Sequence, residues 1–292
     1  KPLSRSDLLV TMQNGAEFEV DGNGYNDIGT KVKVNDNELG VIDISWSRIE
    51  RIEFSATPKK LDNKYGEPLY GTITSDVGEF TGYIQWDHDE RISTDKLDGD
   101  TDDGDLSIAF GKISRIEREG YSRSYVTLKS GRELELRGSN DVNSENRGII
   151  VTVEGLGRID IPWKAFDAVT FLPAPKSTSS YADFRSQREL VATVTTTTGD
   201  THKGKLIYDL DESFDFEVLN GQDDDIEFEI DFQNIAEITP KNYNYTKVTL
   251  KSGNSFVLGD SQDVTDENDG IIVMKGSAPI YIPWDKVDNI KF

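Results

Sequence analysis

Cysteine is absent from this 292-residue chain, and histidine occurs only at His88 and His202. The absence of thiols excludes disulfides, thiolate metal sites and a cysteine nucleophile. Two histidines cannot form a three-histidine zinc site, and neither lies in a helical metalloprotease motif. No apolar run reaches the ~18 residues of a transmembrane helix, and the segment that starts at Lys1 lacks the apolar core of a signal peptide. We therefore expect no membrane insertion.

Basic residues are also scarce, because 32 Lys and Arg stand against 54 Asp and Glu, a net charge of −22. This charge repels phosphate backbones and anionic lipids, and it favours cations and basic partners. The sequence therefore predicts no nucleic-acid binding. An acidic surface is also a common means of solvation, which is the simpler explanation of the charge.

Motifs for several common chemistries are missing too. The sequence has no Gly-Lys-Ser/Thr phosphate loop, no Gly-x-Ser-x-Gly nucleophile elbow and no dinucleotide-binding fingerprint. Each of these motifs positions a nucleophile or a phosphate through a defined turn before a helix. We therefore expect no enzyme active site and no resident cofactor, with calcium the one ion that the acidic segments below suggest.

An internal repeat is the strongest signal in the sequence. One pattern, type A, begins with alternating apolar residues that end at a turn glycine, at residues 10–15, 126–131 and 248–253. A tryptophan follows this glycine by 31 or 32 positions in every copy, at Trp46, Trp163 and Trp284. The copies then end at Phe54, Phe171 and Phe292. A second pattern, type B, matches residues 71–116 with residues 192–238, so the order is A-B-A-B-A.

Spacer lengths indicate how these units group, since Pro- and Ser-rich spacers separate domains and short joins keep neighbours together. We predict five segments: a first type A unit (1–54), a linker (55–68), a B-A module (69–171), a second linker (172–189) and a second B-A module (190–292). The first type A unit has no type B partner in this grouping. We expect that partner upstream, or on another chain or domain.

Apolar residues within a unit alternate with period two, as in Val248 and Leu250, which predicts half-buried strands. One type A unit is expected to hold five short strands, with a 3₁₀ turn at its Pro-Trp corner before the last strand. This plan predicts an all-β fold of tandem small barrels, SH3-like or Sm-like, and a β-sandwich from each B-A pair is the alternative. The three tryptophans are expected to fill the cores.

A resemblance adds to this interpretation. The segments 71–74, 82–90 and 141–151 resemble repeats of uncharacterised exported bacterial proteins, over most of residues 69–292. The resemblance implies a secreted, periplasmic or cell-surface location and a non-catalytic role. The Gly-x-Ile pattern of type B is also similar to the first Sm motif, but the sequence has no matching nucleotide pocket.

One acidic segment resembles a calcium loop, because alternating carboxylates on a Gly-bearing turn can converge on one cation. The candidate ligands are Asp98, Asp100, Asp102, Asp103 and Asp105. An EF-hand loop needs Gly at its sixth position and Glu at its twelfth, where this chain has Asp103 and Ala109. A solvated hairpin loop is the simpler interpretation, and a calcium site is the alternative.

A second acidic feature follows an apolar strand in each type B copy. Its carboxylates are Asp87, Asp89 and Glu90 in one copy and Asp209, Asp211 and Glu212 in the other. Repetition is more typical of a turn or a shared surface than of an active site, so we expect a turn, with a cation site as the alternative. Paired carboxylates for glycoside hydrolysis would have to face each other across a cleft, which nothing here predicts.

Both later type A copies also carry Asp-Val-x-x-Glu-Asn-x-Gly, at residues 141–148 and 263–270. Asn tolerates a left-handed backbone and Gly follows it by two, which predicts a turn. The nearby Asp and Glu could add a ligand to a cation.

These features suggest three functions. The first is a non-catalytic secreted or surface protein, a scaffold, adhesive module or assembly subunit, that binds a protein partner or self-assembles through the strand edges of the first unit. The second is a glycan- or calcium-binding targeting module. The third is a hydrolase that would use Asp87 and Asp89.

Overall fold

The computed structural model describes residues 1–22, 28–36, 38–57, 66–176, 181–184 and 187–292. The chain divides into two compact units, one of Lys1–Lys64 with Lys176–Gln187 and the other of Tyr65–Pro175 with Arg188–Phe292. Both units are built from antiparallel strands and short 3₁₀ turns, so the all-β prediction is confirmed. In the part of the chain that is described, no helix is long and apolar enough to cross a membrane.

The first unit contains two separate hairpins. Its strands are β1 (Asp7–Thr11), β2 (Glu17–Asp21), β3 (Val32–Asp36) and β4 (Gly40–Ile44). Two 3₁₀ turns follow at Trp46–Arg48 and Tyr181–Phe184. The second turn lies in the predicted linker 172–189, and the Tyr181 hydroxyl donates a hydrogen bond to the Phe54 carbonyl (3.1 Å). Residues 49–57 form no strand, and much of the predicted linker 55–68 lies outside the described residues.

The second unit contains both predicted B-A modules, with ten strands in each. The first module has β5 (Tyr70–Ser75), β6 (Gly78–Trp86), β7 (Lys96–Thr101), β8 (Gly104–Ala109), β9 (Ile113–Glu119), β10 (Arg123–Leu128), β11 (Glu133–Arg137), β12 (Ile149–Val153), β13 (Gly157–Ile161) and β14 (Phe166–Phe171). The second module has β15 (Val191–Thr196), β16 (Thr201–Ile207), β17 (Val218–Asp223), β18 (Ile226–Asp231), β19 (Ile235–Pro240), β20 (Thr246–Leu250), β21 (Ser255–Leu258), β22 (Ile271–Lys275), β23 (Ala278–Ile282) and β24 (Val287–Lys291). The five strands predicted for a type A unit are therefore present in both modules.

Strands of types A and B interleave in the sheets. The twelve-stranded sheet has the order β17-β18-β13-β12-β6-β5-β14-β9-β10-β11-β7-β8, and the eight-stranded sheet has the order β21-β20-β19-β24-β15-β16-β22-β23. In each module the last type A strand, β14 or β24, lies between two type B strands. None of the sheets formed by the described residues closes on itself, so the expected small barrels are not seen.

Aromatic side chains form the core of each module, as predicted for two of the three repeat tryptophans. In the first module the Trp86 ring contacts Trp163 edge-on, with centroids 6.1 Å apart, and Phe166 at 5.3 Å. In the second, Tyr208 takes the place of Trp86 and contacts Trp284 at 5.8 Å. Trp163 and Trp284 are buried. The third, Trp46 in the first unit, is only half-buried.

Close strand packing explains why glycine occupies two equivalent positions in the type B copies. A Cβ atom on Gly82 would lie 2.1 Å from the Thr152 carbonyl oxygen, and one on Gly204 would lie 2.1 Å from that of Met274. Only glycine therefore allows β12 and β22 to approach β6 and β16 this closely. The predicted 3₁₀ turn at the Pro-Trp corner forms at Trp284–Lys286, whereas Trp163 lies in a plain turn.

Candidate functional site

A tight turn ends the long type B strand in both modules. Asp87 and His88 have φ angles of 47° and 60°, and the equivalent Asp209 and Leu210 have 48° and 67°. Two successive positive φ angles are typical of a type I′ turn, which Asp adopts readily and Leu does not. In each module the turn directs its first carboxylate into the protein. Asp87 and Asp209 are therefore both buried.

In the first module this turn brings three carboxylates together. One oxygen atom each of Asp87, Glu90 and Asp141 lies within 4.8 Å of the others, and this is the one such group found among the described residues. Asp87 and Asp141 are buried, and the Glu90 Oε2 atom is buried without a hydrogen-bond partner. Carboxylate oxygens at this spacing suit a proton or a hard divalent cation, because either one relieves the mutual repulsion.

Two of these carboxylates also hold the main chain. Asp141 accepts a hydrogen bond from the Asp98 N–H (2.7 Å), and its carbonyl accepts one from the Trp86 indole (3.0 Å). Asp87 accepts a hydrogen bond from the Arg147 N–H (2.6 Å), and the Arg147 guanidinium also pairs with Asp89. The cluster therefore ties the type B turn to the type A loop, which explains its position whether or not an ion is bound.

The second module repeats these main-chain hydrogen bonds, although among the described residues its carboxylates do not converge at the spacing of the first group. The Asp263 carboxylate accepts from the Asn220 N–H (2.6 Å), and its carbonyl accepts from the Tyr208 hydroxyl. Asp209 accepts from the N–H of Asp269, the residue that replaces Arg147. The acidic turn of the second module therefore has no guanidinium at the position of Arg147. Its Glu212 Oε2 atom, like that of Glu90, is buried without a hydrogen-bond partner.

The pKa values follow from this burial. Burial and the nearby Asp141 charge raise the pKa of Glu90 to about 8, and burial raises the pKa of Asp141 to about 6. In the second module, burial and a hydrogen bond with Asp211 raise the pKa of Glu212 to about 10. Burial also raises the pKa of Asp209 to about 6. Near neutral pH both glutamates therefore favour the protonated state.

The acidic segment with the calcium-loop pattern forms the hairpin of β7 and β8. Its pairing runs from Lys96 opposite Ala109 to Thr101 opposite Gly104, which leaves a two-residue turn. The five aspartates are spread along this hairpin, and none belongs to the carboxylate group described above: Asp98, Asp100, Asp102, Asp103 and Asp105. The hairpin expected from the sequence is therefore present.

A strand junction joins the two modules. Strand β13 of the first pairs antiparallel with β18 of the second, and Gly157, Arg158, Ile159 and Asp160 lie opposite Ile230, Glu229, Phe228 and Glu227. The Asp231 N–H donates to the Leu156 carbonyl (3.1 Å) at one end of the junction. A Cβ atom on Gly157 would lie 2.1 Å from the Glu229 carbonyl oxygen. The junction therefore depends on glycine at this position.

Side chains seal the junction on both faces. On one face Phe228 is 1% exposed and lies between Phe80 of the first module (centroids 5.9 Å apart) and Phe256 of the second (5.0 Å). On the other face the Arg158 Nη1 atom lies 3.5 Å from the Glu229 carboxylate. An aromatic cluster of this kind contributes ~0.5–1.5 kcal/mol per ring pair beyond the area it buries.

The sequence predicts part of this site. The turn carboxylates are among its candidate cation ligands: Asp87, Asp89, Glu90, Asp209, Asp211 and Glu212. The repeated Asp-Val-x-x-Glu-Asn-x-Gly motif, which begins at Asp141 and Asp263, is predicted as a turn whose Asp and Glu could add a ligand, but neither aspartate is assigned to the site of the turn carboxylates. The sequence does not predict the junction of β13 with β18, because alternating apolar residues do not specify which strand becomes a neighbour.

Comparison with protein-family models, with curated proteins and with solved structures found no match for this chain.

Proposed function

We propose that the protein is a non-catalytic structural or interaction protein, an assembly subunit that joins further copies of itself through the strand edges of its first unit. The observation that carries this proposal is the lack of a buried core there. None of the hydrophobic side chains in the described part of residues 1–57 is buried, whereas the second unit has a continuous buried cluster. Exposed apolar residues beside unpaired strand edges favour association.

The repeat supports the same conclusion. By their distance from the repeat tryptophan, Ile52 and Phe54 correspond to Val169 and Phe171 on β14. Val169 is 0% exposed because β14 lies between two type B strands, but Ile52 is 42% and Phe54 80% exposed. The first unit therefore has the apolar residues of a type A unit, and its described part contains no strands that cover Ile52 and Phe54.

Light scattering across protein concentration tests this proposal. We expect a mass that grows beyond the 32.7 kDa of one chain. The variant Ile52→Asp should reduce the association by placing a charge on the apolar face. Arg51→Gln is the matched control, because Arg51 is an exposed neighbour in an exposed ion pair with Glu53. A single-chain mass at every concentration would contradict the proposal.

This proposal includes the five-unit order A-B-A-B-A. It also includes a secreted, periplasmic or cell-surface location, which the sequence resemblance implies. A β-repeat scaffold outside the cytoplasm is consistent with the acidic composition and the lack of cysteine. Detection of the protein in an extracytoplasmic fraction of its native cells tests the location, and its retention in the cytoplasm would contradict it.

A second candidate function is binding of a divalent cation such as calcium. The observation that favours it is the convergence of Asp87, Glu90 and Asp141 with one buried, unpaired oxygen. Millimolar calcium should then raise the melting temperature, and Glu90→Gln should reduce that shift. The matched control is Glu145→Gln, an exposed residue of the adjacent loop. An unchanged melting temperature would leave the cluster with only its structural role.

A further inference from the structure

In several copies of the repeat, the last strand of a hairpin has an outer side that faces away from its hairpin partner. Only some of these outer sides pair with a further strand. Strands β4, β13 and β23 are the last strand of the second hairpin in the three type A copies. We call their outer sides tail edges. Strands β8 and β18 are the corresponding type B strands, and we call their outer sides head edges. The junction of β13 with β18 is one tail edge paired with one head edge.

Strand β4 has the sequence of a strand that already forms this junction. It reads Gly-Val-Ile-Asp-Ile from Gly40, and β13 reads Gly-Arg-Ile-Asp-Ile from Gly157. The hairpin registers place Gly40 and Gly157 at the same position. A Cβ atom on Gly157 would collide with the neighbouring strand, but the same space beside Gly40 is open. Among the residues of this unit that the structure describes, strand β4 therefore has an unoccupied tail edge.

Strand β23 cannot serve as a tail edge in the same way. Its register places Ala278 at the position of Gly157 and Pro279 at the position of Arg158. In an antiparallel ladder, hydrogen-bonded residue pairs alternate with pairs that are not hydrogen-bonded. The Asp231 N–H donates to the Leu156 carbonyl, so the next hydrogen-bonded pair along the junction is Arg158 with Glu229. Pro279 has no N–H for that bond, and the Ala278 methyl occupies the space that the partner strand needs. Proline on an edge strand is a known obstacle to edge-to-edge pairing.

Strand β8 is the matching free head edge. It is the terminal strand of the twelve-stranded sheet that the described residues form. Leu106 and Ile108 are only half-buried, whereas the equivalent Phe228 and Ile230 on β18 are buried by the junction. Over the described ranges, β4 therefore offers a free tail edge and β8 a free head edge, of the kinds that pair in β13 and β18.

We propose that β4 of one copy pairs antiparallel with β8 of a second copy, in the register of the existing junction. Val41 would then lie opposite Ser107, and Ile42 opposite Leu106. This inference rests on the proposed self-assembly and names its contact. Because the tail edge of one copy meets the head edge of another, the contact is heterologous, and it joins copies into rings or open chains.

Engineered cysteines test this pairing, since the chain has none of its own. A mixture of Val41→Cys and Ser107→Cys variants, treated with a short thiol cross-linker, should give a product of twice the single-chain mass. Neither variant alone should do so. A mixture of Val41→Cys with Tyr125→Cys is the control, because Tyr125 is exposed on the central strand β10. A product of single-chain mass from the double variant Val41→Cys/Ser107→Cys would overturn pairing between copies.

Proline variants give a second readout that does not depend on cross-linking. Val41→Pro and Ser107→Pro each remove an outward N–H, and each should return the light-scattering mass to that of one chain. Val41→Thr and Ser107→Thr keep the N–H and should assemble as before. Circular dichroism checks that each variant keeps its strands. Assembly that persists in both proline variants would refute the β4–β8 contact and leave the proposed function intact, whereas an unmodified chain that never assembles would refute both.

Discussion

Gly157 lies against the main chain of Glu229 so closely that a Cβ atom on the glycine would be 2.1 Å from the Glu229 carbonyl oxygen. These residues are far apart in the sequence and belong to different modules, yet their contact fixes how the two modules join. The φ angle of Gly157 is +147°, which also favours glycine.

Replacing Gly157 with alanine should therefore weaken the junction. The methyl group must push β18 away, and we expect a loss of about 2–4 kcal/mol in the free energy of unfolding, from overpacking and backbone strain together. Gly155→Ala is the matched control, because Gly155 also has a positive φ (76°) but open space around it. Urea denaturation measures both variants, and equal losses would show that the close contact is not the cause.

Truncation of Phe228 should destabilise the second unit more strongly than truncation of an exposed aromatic residue. Phe228→Ala removes the ring that contacts both Phe80 and Phe256, and core Phe→Ala changes cost about 3–5 kcal/mol. Tyr243→Ala is the control, because Tyr243 is exposed in a turn of the same module. Thermal and urea unfolding measure the difference, and a loss as small as that of the control would mean that Phe228 does not hold the modules together.

Stability should fall as the pH rises through neutrality. The pKa values of Glu90 and Glu212 are raised to about 8 and about 10 in the folded protein, so the folded state binds more protons than the unfolded chain in this range. Their contribution is present below the ordinary carboxyl pKa and is lost as the pH rises through the folded values. We expect a decrease on the order of 1–2 kcal/mol between about pH 5 and pH 9, once solvent screening is allowed for.

The double variant Glu90→Gln/Glu212→Gln should flatten this pH dependence, because glutamine does not titrate. Urea denaturation at several pH values measures the effect. Glu145→Gln controls for the general repulsion of a chain with a net charge of −22. If the double variant keeps the full slope, the stability change arises from other groups.

Opening the blocked tail edge should rescue assembly. In a chain that carries Val41→Pro, the further changes Ala278→Gly and Pro279→Arg give β23 the residues of β13 at the two positions that block pairing. We expect light scattering to detect growth beyond one chain again, through β23. Pro279→Arg alone should rescue less, because the Ala278 methyl group still occupies the contact.

Much of the architecture was predictable from local patterns. Period-two alternation gave the strands, and the repeat of tryptophan after the turn glycine identified Trp163 and Trp284 as core residues. The hairpin at Asp98–Asp105 and the turn after Trp86 were also expected, because Gly- and Asp-rich dipeptides encode their turns locally. These features depend on residues that are close together in the chain.

The sequence by itself therefore determined the all-β class, the repeat, the strands and two of the core aromatics. The tertiary structure alone decided that Asp141 joins Asp87 and Glu90, that β13 pairs with β18, and that the sheets of the described segments stay open instead of closing into barrels. The reason is physical: alternation specifies which face of a strand is buried, but the neighbour of a strand depends on hydrogen-bonding edges and close contacts between distant segments. At two equivalent positions, an added methyl group at Ala278 and a missing N–H at Pro279 distinguish β23 from β13, the strand that pairs between modules.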